Sequence, residues 1–117
     1  MDMNKSEWNE AFLVEHNSKR NAPPFGWSSS LEALAKIHVE ELVRMKMTKH
    51  GNVPPQGYQN IASGKKNMLK PHVPVNLWMT DHGHKAPITN ASMKCIGAWY
   101  SHDPTTNDVI VVCNYGP

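Results

Sequence analysis

The spacing of hydrophobic residues changes once along this chain, from three or four residues in the first half to two at the end. That change restricts the available folds more than any other feature. Leu31, Leu34, Ala35, His38, Leu42 and Met45 recur at helical intervals, so an amphipathic helix with one core-facing stripe is predicted from Ser29 or Ser30 to about Lys49. Ser29, with Glu32 three residues later, has the form of a capping box for its start. An earlier helix is predicted from the cap pair Asn4 and Glu7, through Trp8, Phe12, Leu13 and Val14, to about Lys19, with residues 21–26 as a turn-rich break. From Lys94 onward the period is two, and residues 94–101 and 108–115 read as strands joined by a loop at 102–107. Helices followed by a terminal hairpin, without βαβ alternation, predict a single domain over residues 1–117 that is α+β or an α-β-α sandwich rather than a Rossmann fold.

The middle of the chain is less regular. Residues 51–74 hold four prolines and three glycines, with no periodicity outside the short Asn60-Ile61-Ala62 segment, so an ordered loop is predicted. A short helix over 75–80 and a single turn over 87–91 follow. A length of 117 residues excludes two full domains. The longest aliphatic run, Val109 to Val112, is far too short to span a membrane as a helix. The polar first five residues lack a secretory h-region, which leaves a cytosolic protein or a mature, trimmed chain. Twelve basic and ten acidic residues give a net charge of +2, too weak a bias to argue for nucleic acid or anionic membrane as a partner.

Cys95 and Cys113 lack the spacing of a zinc ribbon or redox pair. With the hairpin centred near Pro104, facing residues have numbers summing to about 208, which 95 and 113 satisfy, so a cross-strand disulfide is open; two buried thiols are the alternative. Of seven histidines, His38 lies on the core stripe, His72 and His102 are expected to face solvent, and His16 ends a helix where a protonated ring suits the dipole. His50, His82 and His84, with Asp81, resemble the ligand set of an open zinc or copper site. A hydrogen-bonded structural cluster is the rival reading of these polar residues. There is no HExxH, no G-x-S-x-G elbow and no phosphate-binding glycine loop. Asn90-Ala91-Ser92 is a formal N-glycosylation sequon.

Four segments, in order, resemble the CAP superfamily of cysteine-rich secretory proteins, venom antigens and pathogenesis-related proteins. They are residues 12–17 with Arg20, Pro23-Pro24 and Trp27; His50-Gly51 with residues 57–64; residues 78–85 with Ile88, Asn90 and Ile96-Gly97; and residues 111–117, including Cys113-Asn114-Tyr115. The resemblance implies an α-β-α sandwich whose cleft holds two histidines and two acids able to bind a divalent ion. Matched position by position, the histidines are His50 and His84 and one acid is Asp81, while Gln59 stands where the family has glutamate. Glutamine keeps a carbonyl ligand but has no charge and cannot act as a base. His82 replaces a small residue or proline and is expected to supply the missing ligand, with zinc as the cofactor. The function implied is a secreted, extracellular binding or effector protein, a monomer or weak dimer, with a sterol, a lipid or a cell-surface receptor as partner. The alternative is a zinc-dependent hydrolase or protease using His50 and His84, with Asp81 as base. Only 13 residues separate Gly64 from Trp78, fewer than the family often carries.

Overall fold

The computed structural model describes residues 3–46 and 49–117. Helix α1 (Lys5–Ser18) opens on the expected capping box: Glu7 N–H donates to Asn4 Oδ1 (2.8 Å) and Asn4 N–H to Glu7 Oε1 (3.2 Å). Strand β1 (Gly26–Trp27) leads into α2 (Ser29–Met45), whose cap is Ser28, its hydroxyl accepting from Leu31 N–H at 3.1 Å. The Glu32 carboxylate does not close a box there, because it accepts from Trp27 Nε1 and Asn9 Nδ2 instead. Helix α2 ends with Lys46 in the left-handed region, φ 53°. The predicted extension to Lys49 crosses residues 47 and 48, which lie outside the described residues.

The predicted loop over 51–74 needs correction. It contains strand β2 (Tyr58–Gly64), a 3-10 helix (Lys66–Leu69) and the start of α3 (His72–Trp78). Helix α4 (His82–Thr89) replaces the single turn expected at 87–91, because the Asp81 side chain caps it five residues earlier than Pro87 had suggested. Strands β3 (Cys95–His102) and β4 (Val109–Gly116) form the expected hairpin. The sheet order is β1-β3-β4-β2, with β1 parallel to β3 and the other pairs antiparallel.

Alternation along β4 divides the core into two layers. Val109, Val111, Cys113 and Tyr115 pack with Trp8 and Phe12 of α1, Val75 and Trp78 of α3, and Ile88 of α4. Val112 faces the other way, against Ala35, Val39 and Leu42 of α2, with Ile61, Trp99 and Ile110 beside it. The result is the expected sandwich: α2 on one face of the sheet, and α1, α3 and α4 on the other.

The cross-strand disulfide does not form, and the register gives the reason. Cys95 pairs with Gly116, and Cys113 with Ala98. Asp103 O accepts from Asn107 N–H at 2.7 Å, and Asn107 is left-handed at φ 66°. This turn moves the hairpin's centre beyond Pro104, so facing residues sum to 211. Cys95 and Ala98 are three positions apart on one strand, so the two sulfurs point to opposite faces of the sheet. Cys113 is buried, and burial pushes its thiol well above the usual cysteine range.

Candidate functional site

Two groups of polar side chains converge on β2, the strand at one edge of the sheet. On the α2 side, Gln59 Oε1 accepts from Gly51 N–H at 2.8 Å and from His50 Nδ1 at 3.1 Å. Its amide nitrogen donates to Asn114 Oδ1 (2.8 Å), and Asn114 Nδ2 donates to the Leu31 carbonyl (3.2 Å). Backbone groups at both ends of this chain, Gly51 N–H and Leu31 C=O, fix the orientation of both amides. His50 Nδ1 must therefore carry the proton, which leaves Nε2 with a free lone pair.

On the other side of β2, Asn60 points inward. Its Nδ2 donates to the His84 carbonyl (2.8 Å) and to the Tyr115 hydroxyl (3.1 Å). Helix α4 is thereby tied to the residue after Gln59. At its first turn Asp81 Oδ2 accepts from His84 N–H (3.1 Å) and from His84 Nδ1 (2.6 Å). Those two bonds, the backbone one foremost, hold the exposed Asp81 carboxyl below the usual carboxylate range. His84 Nδ1 is thus a donor, and Nε2 is again the free nitrogen. Neither Nε2 has a hydrogen-bond partner among the described residues.

The five residues singled out from the sequence therefore fall into two pairs and one bystander. His50 joins Gln59, and Asp81 joins His84, the pairs being anchored to consecutive residues of β2. His82 is exposed at the start of α4, two positions from His84, and helix positions two apart do not face each other. Among the described residues no three His, Cys, Asp or Glu side chains assemble as metal ligands. Each imidazole is oriented through its Nδ1 by an oxygen acceptor. The donor set does not suit a closed four-ligand site.

The most deeply buried polar assembly went unrecognised in the sequence. His16 is fully buried, not a charged helix end. Its Nδ1 donates to the Phe12 carbonyl (3.0 Å), and its Nε2 accepts from the Tyr115 hydroxyl (2.8 Å), which in turn accepts from Asn60. Burial lowers the His16 pKa from 6.5 to about 4, against the favourable Phe12 carbonyl and with help from Arg20. Its signal was present: Trp8, Phe12 and His16 recur every four residues, on the face α1 buries. This line of bonds joins α1, β4, β2 and α4 behind the two imidazole pairs. The expectation for His38 stands: it is buried, with Nε2 against the Lys49 carbonyl.

Comparisons with known proteins agree with this architecture. The sequence pattern of "CAP: Cysteine-rich secretory protein family" matches residues 15–115. A search of curated proteins gave no match. Among solved structures, an outer surface protein from Borrelia burgdorferi superposes with a TM-score of 0.81 at 22% identity, over 99% of this chain and 96% of that one. The crystal structure of NaASP2 with Zn2+ gives 0.77 at 18% identity, over 98% and 81% of the two chains. An extracellular protein containing an SCP domain, from Bacillus anthracis, gives 0.67 at 12% identity, over 98% of this chain and 44% of that one. With a family pattern running from the end of α1 to the last strand, and a sandwich shared with these structures, this chain belongs to the CAP family of cysteine-rich secretory proteins.

Proposed function

We propose that this CAP domain acts outside the cell by binding rather than by bond cleavage, and that His50 and His84 meet at the β2 edge of the sheet to hold a divalent cation such as zinc in an open, low-affinity site. The observation that carries this reading is the occupation of the Gln59 carbonyl oxygen by two donors. That oxygen serves Gly51 and His50, and the Gln59 amide serves Asn114, so the position offers no charge and no proton acceptor. Asp81 is a weak substitute as a base, because its Oδ2 already caps α4 and orients His84 and its carboxyl is held below the usual carboxylate range. The hydrolase alternative is thus left with a weakly basic carboxylate to activate water. When bound, the ion would supply Lewis acidity and an exchangeable position; His50 and His84 would hold it, Gln59 and Asp81 would orient them. The exposed ion site would then present a charged surface to a receptor or lipid partner. No helix among the described residues is long and apolar enough to cross a membrane.

Zinc titration by calorimetry tests this. The unmodified chain is expected to bind one zinc, and His50→Ala and His84→Ala each to weaken binding by about tenfold or more. Gln59→Ala, acting through His50, is expected to weaken it by about tenfold. Equal binding by all four proteins, or none by the unmodified chain, overturns the reading. Hydrolysis of a peptide or ester that stops with chelator and returns with zinc would favour the enzyme instead.

A further inference from the structure

The segment that carries His50 has little of its own to hold it. Residues 49–53 lie outside helix and strand, Lys49 and His50 are both exposed, and among the described residues no backbone–backbone hydrogen bond reaches this stretch. Backbone of this kind opens locally at little cost unless side chains hold it. Two side chains do. Gln59 Oε1 accepts from Gly51 N–H and from His50 Nδ1. On the other side of His50, the Lys49 carbonyl meets Nε2 of His38, a ring that is only 5% exposed on α2. A carbonyl oxygen only accepts, so Nε2 is the donor. His38 Nδ1 lies 3.7 Å from the Glu41 carboxylate, and the Lys49 bond is the ring's one hydrogen bond among the described residues.

The Lys49 carbonyl and the Gly51 N–H belong to the two planar peptide units that flank the His50 Cα. Pinning both planes sets φ and ψ of His50 from outside, and the Nδ1 bond to Gln59 then sets the ring. Both clamps rest on α2. His38 is part of that helix, and Gln59 is held through Asn114 to the Leu31 carbonyl, about two turns earlier on it. Gly51 brings the loop down onto the His38 ring: a Cβ there would lie 2.5 Å from His38 Nδ1 and 2.7 Å from its Cγ and Cε1. The ring thus supports the loop by contact as well as by its hydrogen bond.

We infer that His38 is a positioning residue for the cation site: through the Lys49 carbonyl and the face of Gly51 it fixes the backbone of His50 so that Nε2 is presented outward, an inference that rests on the reading of His50 as a ligand. His38→Gln keeps a donor where Nε2 stands, and His38→Leu fills the space without one. In the zinc-free protein, amide exchange at Gly51 is expected to quicken about tenfold in His38→Leu and to stay within about twofold in His38→Gln. The His50 ring is expected to lose its single Nδ1–H tautomer in His38→Leu and to keep it in His38→Gln. Gly51→Ala, which forces the loop off the ring without altering α2, is expected to disturb the His50 ring in the same way. Zinc affinity is expected to fall about fivefold or more in His38→Leu and Gly51→Ala and to hold in His38→Gln. An unchanged Gly51 exchange rate and His50 tautomer in His38→Leu, or an equal disturbance in His38→Gln, overturns the inference whatever zinc does. A loss of protection at Val112 of β4 equal to that at Gly51 assigns the effect to folding and overturns it too. Absence of zinc binding by the unmodified chain overturns the reading of the site instead, while the zinc-free measurements still decide whether His38 holds His50.

Discussion

Gly97→Ala is expected to abolish the folded state or to cost more than about 4 kcal/mol, a loss near the whole stability of a marginal domain. A Cβ at this position would lie 2.2 Å from Glu32 N, 2.5 Å from Ser28 O and 2.6 Å from the Leu31 carbonyl carbon. All three are backbone atoms of the first turn of α2 and its cap, so no side chain can rotate away. The strand and the helix must separate, and with them the layer of Ala35, Val39 and Leu42 on the sheet. Gly97 has no positive φ, so the demand is for close approach rather than an unusual conformation. Gly26 is the control: a Cβ there meets nothing within 4 Å, and Gly26→Ala is expected to change stability by no more than about 0.5 kcal/mol. Urea unfolding of the two variants checks the pair. A Gly97→Ala protein as stable as Gly26→Ala would show that α2 does not rest on β3 as described.

The second large effect is acid sensitivity centred on His16. Its pKa falls from 6.5 to about 4 on burial, so between these values the unfolded chain binds a proton that the folded chain refuses. Stability is complete above the unfolded value and is lost as the pH falls towards the folded one. A shift of that size corresponds to about 3 kcal/mol lost between pH 6.5 and 4. Asp81, Asp103 and Asp108 are held low by hydrogen bonds from His84, Thr105 and Lys65 respectively. They act in the same direction, but only below about pH 4. His16→Gln is expected to be less stable at neutrality and to lose most of the pH dependence in this window. His16→Ala is expected to cost about 3 kcal/mol or more at neutrality, since it leaves a cavity and a buried Tyr115 hydroxyl without its acceptor. Urea midpoints measured across the window decide this. A dependence as steep in His16→Gln as in the unmodified chain would assign the acid sensitivity elsewhere.

The parts of this fold that were legible in the sequence are those that carry their own chemistry. The Asn4–Glu7 box and the 3–4 spacing of α2 announce two helices, and the alternation at the end of the chain announces β3 and β4. Strand β2 was hidden because its inward positions are Asn60 and Ala62, a polar residue and a small one, rather than the large apolar residues that mark a strand. Asn60 faces inward to serve the His84 carbonyl and Tyr115, a demand set by distant parts of the chain. The cysteine pairing failed on turn geometry: a left-handed Asn107 moves the hairpin's centre, and an odd shift in register reverses a side chain's face. At the site, the resemblance singled out His50, Gln59, Asp81 and His84, and the structure joins them as two hydrogen-bonded pairs. The joining of His50 and Gly51 to Gln59, and the role of Asn114 in holding Gln59 as an amide, depend on bonds between residues 8 to 55 positions apart.

The central claim is that the imidazoles of His50 and His84 are both oriented through Nδ1 and offer Nε2. Long-range proton–nitrogen correlation spectra read this directly, because the protonated and free ring nitrogens of neutral histidine resonate far apart. The expected result is an Nδ1–H tautomer for both His50 and His84, with both Nε2 signals moving together on addition of zinc. An Nε2–H tautomer at either ring, or a zinc response confined to one of them, would contradict it.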